Sequence, residues 1–231
     1  MSVIETRFQQ VRDRIQIAEK VCGRPGAVKL LAVSKTRPVS LVRKAWHIGQ
    51  RDFGENHVQE GIDKIQALQD LDGICWHFIG PLQSNKTRPV ARYFDWMHSV
   101  DRLKIARRLS QQRSGHQSPL NICIQVNISE EDTKSGVPPE QVLSLATEIM
   151  ALPNLKLRGL MAIPVPTDDP VAQHAAFRAM SELLTTLQER WPEQALDTLS
   201  MGMSNDLEAA IEEGATIVRI GTALFGTRDY S

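Results

Sequence analysis

The amino-acid sequence predicts an α/β fold: a single closed (β/α)8 barrel, the TIM-barrel architecture, with an extra N-terminal helix. Three observations lead there. Strand-like and helix-like segments alternate along the chain, which implies parallel strands joined by helical crossovers. Eight strand candidates fit within 231 residues, a count and a length that favour a closed barrel over an open doubly wound sheet. No Pro/Gly/Ser-rich linker or low-complexity tract interrupts the alternation, so residues 1–231 are expected to form one domain.

The elements follow in order from their apolar periodicity. A helix over about 3–21 opens the chain. The strand "VKLLAVSK" leads to the helical pattern "SLVRKAWHIG", "RDFGEN" to "HVQEGIDKIQAL", "CWHFIG" to "SNKTRPVARYF", and "DWMHSVD" to "RLKIARRLSQQR". Then "NICIQVNIS" leads to "PPEQVLSLATEIMAL", "LKLRGLMAIP" to "VAQHAAFRAMSELLTTLQERW", and "DTLSMGMS" to "DLEAAIEEG", before the eighth strand "TIVRIGTALFG". Gly49, Gly61 and Gly214 fall near helix ends or beginnings, and Pro138-Pro139 suits a helix's first turn. Little chain follows the eighth strand, so the N-terminal helix is expected to pack outside the barrel near that gap.

Composition excludes several classes. Lys+Arg and Asp+Glu both number 27, which gives no electrostatic reason to expect nucleic acid or an anionic membrane as partner. The densest basic run, "DRLKIARRLSQQR", carries Leu103, Ile105, Ala106 and Leu109 at amphipathic-helix spacing, so it reads as a solvated face. Three widely spaced cysteines without a CxxC motif fit buried thiols in a reducing cytoplasm. The polar, charged opening is not expected to be a signal peptide, and no stretch reaches the roughly 18 apolar residues of a membrane span. The protein is expected in the cytoplasm.

Barrel sites form where strands end, because all eight ends converge on one mouth. Strand one ends at Ser34-Lys35, strand two at Gly54-Glu55-Asn56 and strand five at Asn127-Ile128-Ser129. The last two strands are the most specific. The loops after them form phosphate sites in many barrels, from backbone N–H groups and a helix N-terminus. "GMSND" leads into a helix with Asn205 as expected N-cap and Glu208 three residues on, a capping-box pattern. "GTA" supplies Gly221 for close backbone approach and Thr222 for a hydroxyl. A turn glycine and a routine cap are the plainer reading, and Asp206 beside Ser204 argues slightly against an anion unless its side chain turns away. Lys35 belongs across the same mouth. A partly desolvated lysine amine attacks carbonyls, and a phosphorylated aldehyde such as pyridoxal phosphate (PLP) fits both features. Arg219, two residues before Gly221, either faces the lumen or pairs with a carboxylate such as Asp206 or Glu208.

Six motifs in order, "LLAVSKT", "FGENHVQEG", "WHFIGPLQSNK", "RGLMAIP", "SMGMSNDLEAAI" and "VRIGTALFG", closely resemble the YggS/PROSC family of PLP homeostasis proteins. That family is related in fold to the N-terminal barrel of bacterial alanine racemase. The resemblance covers essentially the whole chain. It implies that Lys35 carries PLP covalently, as an aldimine. Ser204, Gly221 and Thr222 would hold its phosphate, with backbone help from Gly202 and Met203. Arg219 would approach the pyridine nitrogen and Asn56 would line the site near the ring. His57 stands where close relatives carry tyrosine, which should alter ring packing more than chemistry. The family is thought to buffer or deliver PLP in vitamin B6 homeostasis, with apo PLP-dependent enzymes as expected recipients.

Two residue-level arguments weigh against fast catalysis. An arginine at the ring nitrogen does not readily supply a proton, so it weakens the ring as an electron sink. A two-base racemase also needs an acid/base group on each face of the substrate. Lys35 serves one face; in related racemases the other is a tyrosine from an additional domain. Here Tyr93 belongs to an outer helix and Tyr230 is the penultimate residue, while His57 and His77 are expected in supporting or core roles. No paired histidines at metal-ligand spacing and no GxSxG elbow occur. The expected protein is a monomeric PLP carrier, with a weak racemase or a PLP-free Schiff-base enzyme as alternatives. Lys134 and Lys86 are candidates for a second lysine in PLP transfer.

Overall fold

The computed structural model describes residues 2–129 and 135–227. Eight parallel strands close into a barrel in chain order, with β8 returning to pair with β1. The strands are β1 (Lys29–Val33), β2 (Asp52–Glu55), β3 (Cys75–Phe78), β4 (Trp96–Val100), β5 (Leu120–Val126), β6 (Leu155–Ala162), β7 (Thr198–Ser200) and β8 (Ile217–Ile220). Around them lie α1 (Val3–Val21), α2 (Val39–His47), α3 (Val58–Ala67), α4 (Thr87–Tyr93), α5 (Leu103–Gln112), α6 (Val142–Met150), α7 (Pro170–Arg190), α8 (Leu207–Glu212) and the single turn α9 (Thr222–Phe225).

Side-chain alternation gives each strand two buried faces. In β1, Leu31 and Val33 enter the lumen and pack with Ile79 and Ile217, whereas Ala32 joins the larger core between sheet and helices. Phe53, Phe78 and Phe94 are fully buried in that outer core, and Phe78 meets Phe94 edge-on with centroids 5.4 Å apart. The lumen is not wholly apolar: His77, His98, Ser200 and Arg219 are buried in it.

The opening helix behaves as its stripe demands. Phe8, Val11, Ile15 and Ala18 form its buried face, and Ser2 and Glu5 close a capping box at its start. It packs on α8, α9 and α2, covering the side of the barrel beside β8. Phe8 meets Phe225 of α9 edge-on at 5.7 Å.

Three expectations need correcting. The eighth strand ends at Ile220, not at Gly226. The apolar residues Leu224 and Phe225 belong to α9, whose turn closes when their N–H groups bond Gly221 O. A three-residue apolar run fits either state, and packing against α1 selects the helical one. The N-cap of α8 is Asp206 rather than Asn205, and it makes no side-chain cap bond. Glu208 does not reach back to close a capping box, because its carboxylate forms a two-point ion pair with Arg14 of α1. Finally, barrel closure puts β1 beside β8, with Ala32 paired to Ile220. Lys35 therefore neighbours the β8–α9 turn rather than facing it across the mouth.

Candidate functional site

A cavity of about 250 Å³ opens at the C-terminal mouth of the barrel. Lys35, Asn56, Met203, Ser204, Arg219, Gly221 and Thr222 all line it. Gly202, the remaining predicted residue, is buried just behind the wall. Its φ of +91° and a neighbouring Ala210 Cβ, 2.6 Å from where its own Cβ would stand, admit no side chain there. Its carbonyl instead accepts from the Arg219 backbone N–H.

Lys35 is held through the backbone on both sides. Ser34 O accepts from Lys64 Nζ at 2.6 Å, and the Thr36 N–H donates to Glu60 Oε1. Thr36 carries a left-handed φ of +61°, a costly conformation for a β-branched residue that the Glu60 contact holds in place. Lys64 is itself buried and paired with Glu55 at 2.8 Å and with Glu60 at 2.7 Å. Ser34 Oγ donates to the same Glu55 oxygen at 2.6 Å. Burial raises the Glu55 carboxyl above the usual range, and Lys64 opposes that rise. This Lys64–Glu55–Glu60 cluster was not singled out from the sequence; its only sequence signal is the Glu60/Lys64 spacing on α3.

Asn56 follows β2. Its side-chain oxygen Oδ1 is buried and has no protein partner, a polar atom left for an occupant of the cavity. Gly80 presses against its backbone: a Cβ there would stand 2.2 Å from Asn56 O. Only glycine at that position lets Asn56 keep its place.

On the other side, Ser204 comes from the β7–α8 loop and Thr222 from the start of α9. The first N–H groups of a helix have no intrahelical acceptor, and at α9 these belong to Thr222 and Ala223. Asp206 does not line the cavity, because its carboxylate turns back to accept from the Met203 N–H. Two arginines absent from the predicted site brace these loops. Arg14 donates to Ser204 O at 3.0 Å, and Arg37 donates to Thr227 O at 2.9 Å and to Gly226 O.

Arg219 points inward rather than out. Its guanidinium is buried and donates to Ser200 O, to Ser200 Oγ at 2.9 Å and to Ala162 O at 2.9 Å. Neither Asp206 nor Glu208 bonds it; Asp206 acts only through its field. Burial lowers its pKa to about 10, which leaves it charged at neutral pH.

The remaining candidates fall elsewhere. His77 is sealed in the lumen, whereas His57 caps α3 at the surface. Tyr93 lies on α4 with the Arg92 guanidinium 5.4 Å from its ring centre. Lys86 is exposed on a 3₁₀ turn and does not line the cavity. Lys134 and Tyr230 lie outside the described residues.

Comparison with known proteins covers nearly the whole chain. The family description "Alanine racemase, N-terminal domain" matches residues 7–229. The chain is 59% identical over 231 residues to a pyridoxal phosphate homeostasis protein of Pseudomonas aeruginosa, covering 100% of this chain and 98% of that one. It is 53% identical over 234 residues to the protein of the same name from Escherichia coli, covering 100% and 99%. Among solved structures, PipY of Synechococcus elongatus with PLP bound superposes with a TM-score of 0.85 at 37% identity, over 96% of this chain and all of that one. With this match along nearly its whole length and barrel, the chain belongs to the alanine racemase N-terminal domain family, and within it to the pyridoxal phosphate homeostasis proteins.

Proposed function

We propose that this chain binds PLP in the mouth cavity through Lys35 and acts in vitamin B6 homeostasis as a carrier or buffer of the cofactor. One observation carries the reading. The Lys35 amine, the Ser204 and Thr222 hydroxyls, the Gly221 turn and the buried, unpartnered Asn56 Oδ1 share a single cavity. That donor set fits a phosphorylated aromatic aldehyde. The names of the relatives and the PLP-bound PipY structure support the same ligand.

In this reading PLP supplies an aldehyde for a lysine amine and a ring that draws electrons from it. Lys35 anchors it; Ser204, Gly221 and Thr222 hold the phosphate, with Gly202 and Met203 shaping the loop. Asn56 contacts the ring's surroundings, and Arg219 faces the pyridine nitrogen as a fixed positive donor. Among the described residues, the cavity wall contains no histidine, tyrosine, cysteine or carboxylate. That absence supports a carrier, since racemisation wants a second acid/base group opposite the lysine. The chain works as one domain, as a cytoplasmic monomer that passes PLP to apo-enzymes.

Reduction of the purified protein with borohydride, followed by peptide mass mapping, is expected to find the PLP mass on Lys35. Transfer to an apo-enzyme should run faster than from free PLP. Rapid α-proton exchange of L-alanine in deuterated water would instead favour the racemase alternative.

A further inference from the structure

A chain of polar side chains runs through the barrel lumen from the mouth cavity to the opposite end. Arg219 donates to Ser200 Oγ at 2.9 Å. Ser200 Oγ lies 2.8 Å from His98 Nδ1, His98 Nε2 lies 2.9 Å from His77 Nδ1, and His77 Nε2 lies 3.1 Å from Asp52 Oδ1. Lys29 Nζ closes the far end on the same Asp52 oxygen at 3.0 Å. His77, His98 and Ser200 are fully buried, so every polar hydrogen in the chain needs a partner within it.

Donor and acceptor parity leaves one arrangement. Asp52 is held as the anion by His77 and Lys29, against the opposing effect of burial, so it only accepts. His77 must then donate from Nε2. Burial keeps it neutral, so its Nδ1 accepts and His98 must donate from Nε2. His98 is kept neutral more strongly still, by burial first and by the nearby Arg219 charge. Its Nδ1 therefore accepts the Ser200 hydroxyl hydrogen, and Ser200 Oγ turns its lone pairs to Arg219. The reverse direction would set the His77 Nε2 lone pair against a carboxylate.

We propose that Asp52, His77, His98 and Ser200 form a one-way hydrogen-bonded relay that positions the Arg219 guanidinium in the mouth cavity from the opposite end of the barrel. The relay makes Asp52, which does not line that cavity, a positioning residue for whatever Arg219 faces. The effect on PLP rests on the function proposed above; the direction of the relay does not.

The test uses apo-protein labelled with ¹⁵N. Long-range ¹H–¹⁵N correlation is expected to show His77 and His98 both neutral with the proton on Nε2. In Asp52→Asn, His77 and His98 are expected to become tautomer mixtures, and the PLP dissociation constant to rise about three- to tenfold, the loss of part of one hydrogen bond to a charged group. Ser200→Ala cuts the relay at its other end and serves if Asp52→Asn does not fold. It is expected to release the His98 tautomer and weaken PLP about tenfold. Nδ1–H on either wild-type histidine overturns the relay. So does a folded Asp52→Asn or Ser200→Ala protein with unchanged His98 tautomer and unchanged PLP affinity. If the wild-type histidines both carry Nε2–H but PLP does not bind at all, the relay stands and the proposed function falls.

Discussion

Two lysines bracket β1, one at each end of the barrel lumen. Lys29 at its start is paired with Asp52 at 3.0 Å in the N-terminal end of the lumen, where Asp52 also meets His77. Lys35, two residues past its end, lines the mouth cavity, and no carboxylate among the described residues lines that cavity with it. Acids are near: Glu55 and Glu60 lie behind the strand end, and Asp206 is in the neighbouring loop. Each is engaged elsewhere, the first two by Lys64 and the third by the Met203 N–H. The comparison teaches that the two ends of one strand place their lysines in different surroundings, one on a lumen carboxylate and one in the wall of the mouth cavity.

The sharpest way to break this comparison is to remove each lysine in turn. Lys35→Ala is expected to abolish the borohydride-trapped PLP mass, whereas Lys29→Ala keeps it; an adduct retained in the first or lost in the second sinks the assignment. Next in size is the cluster that diverts the acids. Lys64→Met leaves the buried Glu55 and the half-buried Glu60 without their cation and should cost about 3–5 kcal/mol of stability in urea unfolding at neutral pH. A cost below about 1 kcal/mol would mean that the cluster is not closed as described.

Smaller effects sharpen the mouth and the lumen. Thr222→Ala should weaken PLP binding about ten- to hundredfold by equilibrium titration, the value of one hydrogen bond to a charged phosphate. An unchanged affinity would remove Thr222 from the phosphate site. At the Lys29 end of the lumen, His77 and His98 are held below the ordinary histidine pKa of 6.5 by burial. The unfolded chain then binds protons that the folded chain refuses. Their contribution is therefore complete above about pH 6.5 and is lost as pH falls from there, by up to ~1.4 kcal/mol per pH unit for each histidine. Chemical unfolding at pH 7.5 and 5.5 measures this slope, and His98→Asn should flatten it.

Much of the architecture was legible because it depends on periodicity. The eight strand cores and the helices between them follow from apolar spacing, but strand ends moved: the seventh strand, expected over 197–204, spans Thr198–Ser200, and the short apolar run at Leu224-Phe225, which suits two states, is helical. The site was legible where a residue type is unusual at a strand end, as with Lys35, Asn56 and Thr222. Capping at Asn205 was misread for a specific reason: a Glu three residues after a polar residue is a local signal, but Glu208 answers to Arg14, 194 residues away in sequence. Long-range pairs of this kind leave no mark in a local window. The same holds for Arg37, whose backbone acceptors lie at Gly226 and Thr227.

Sequence pattern alone therefore settled the alternation and the barrel class, because these rest on side-chain period; strand-end chemistry pointed to Lys35, Gly221 and Thr222, and six ordered motifs carried the resemblance to the family and the remaining site residues. Tertiary structure decided which charges meet. It set Lys35 beside the β8–α9 turn and sent Glu55, Glu60 and Asp206 away from the cavity. It also threaded Arg219 to Asp52 through two neutral histidines. Ion pairing and hydrogen-bond direction depend on distances of a few ångströms between remote segments, and only barrel closure fixes those distances.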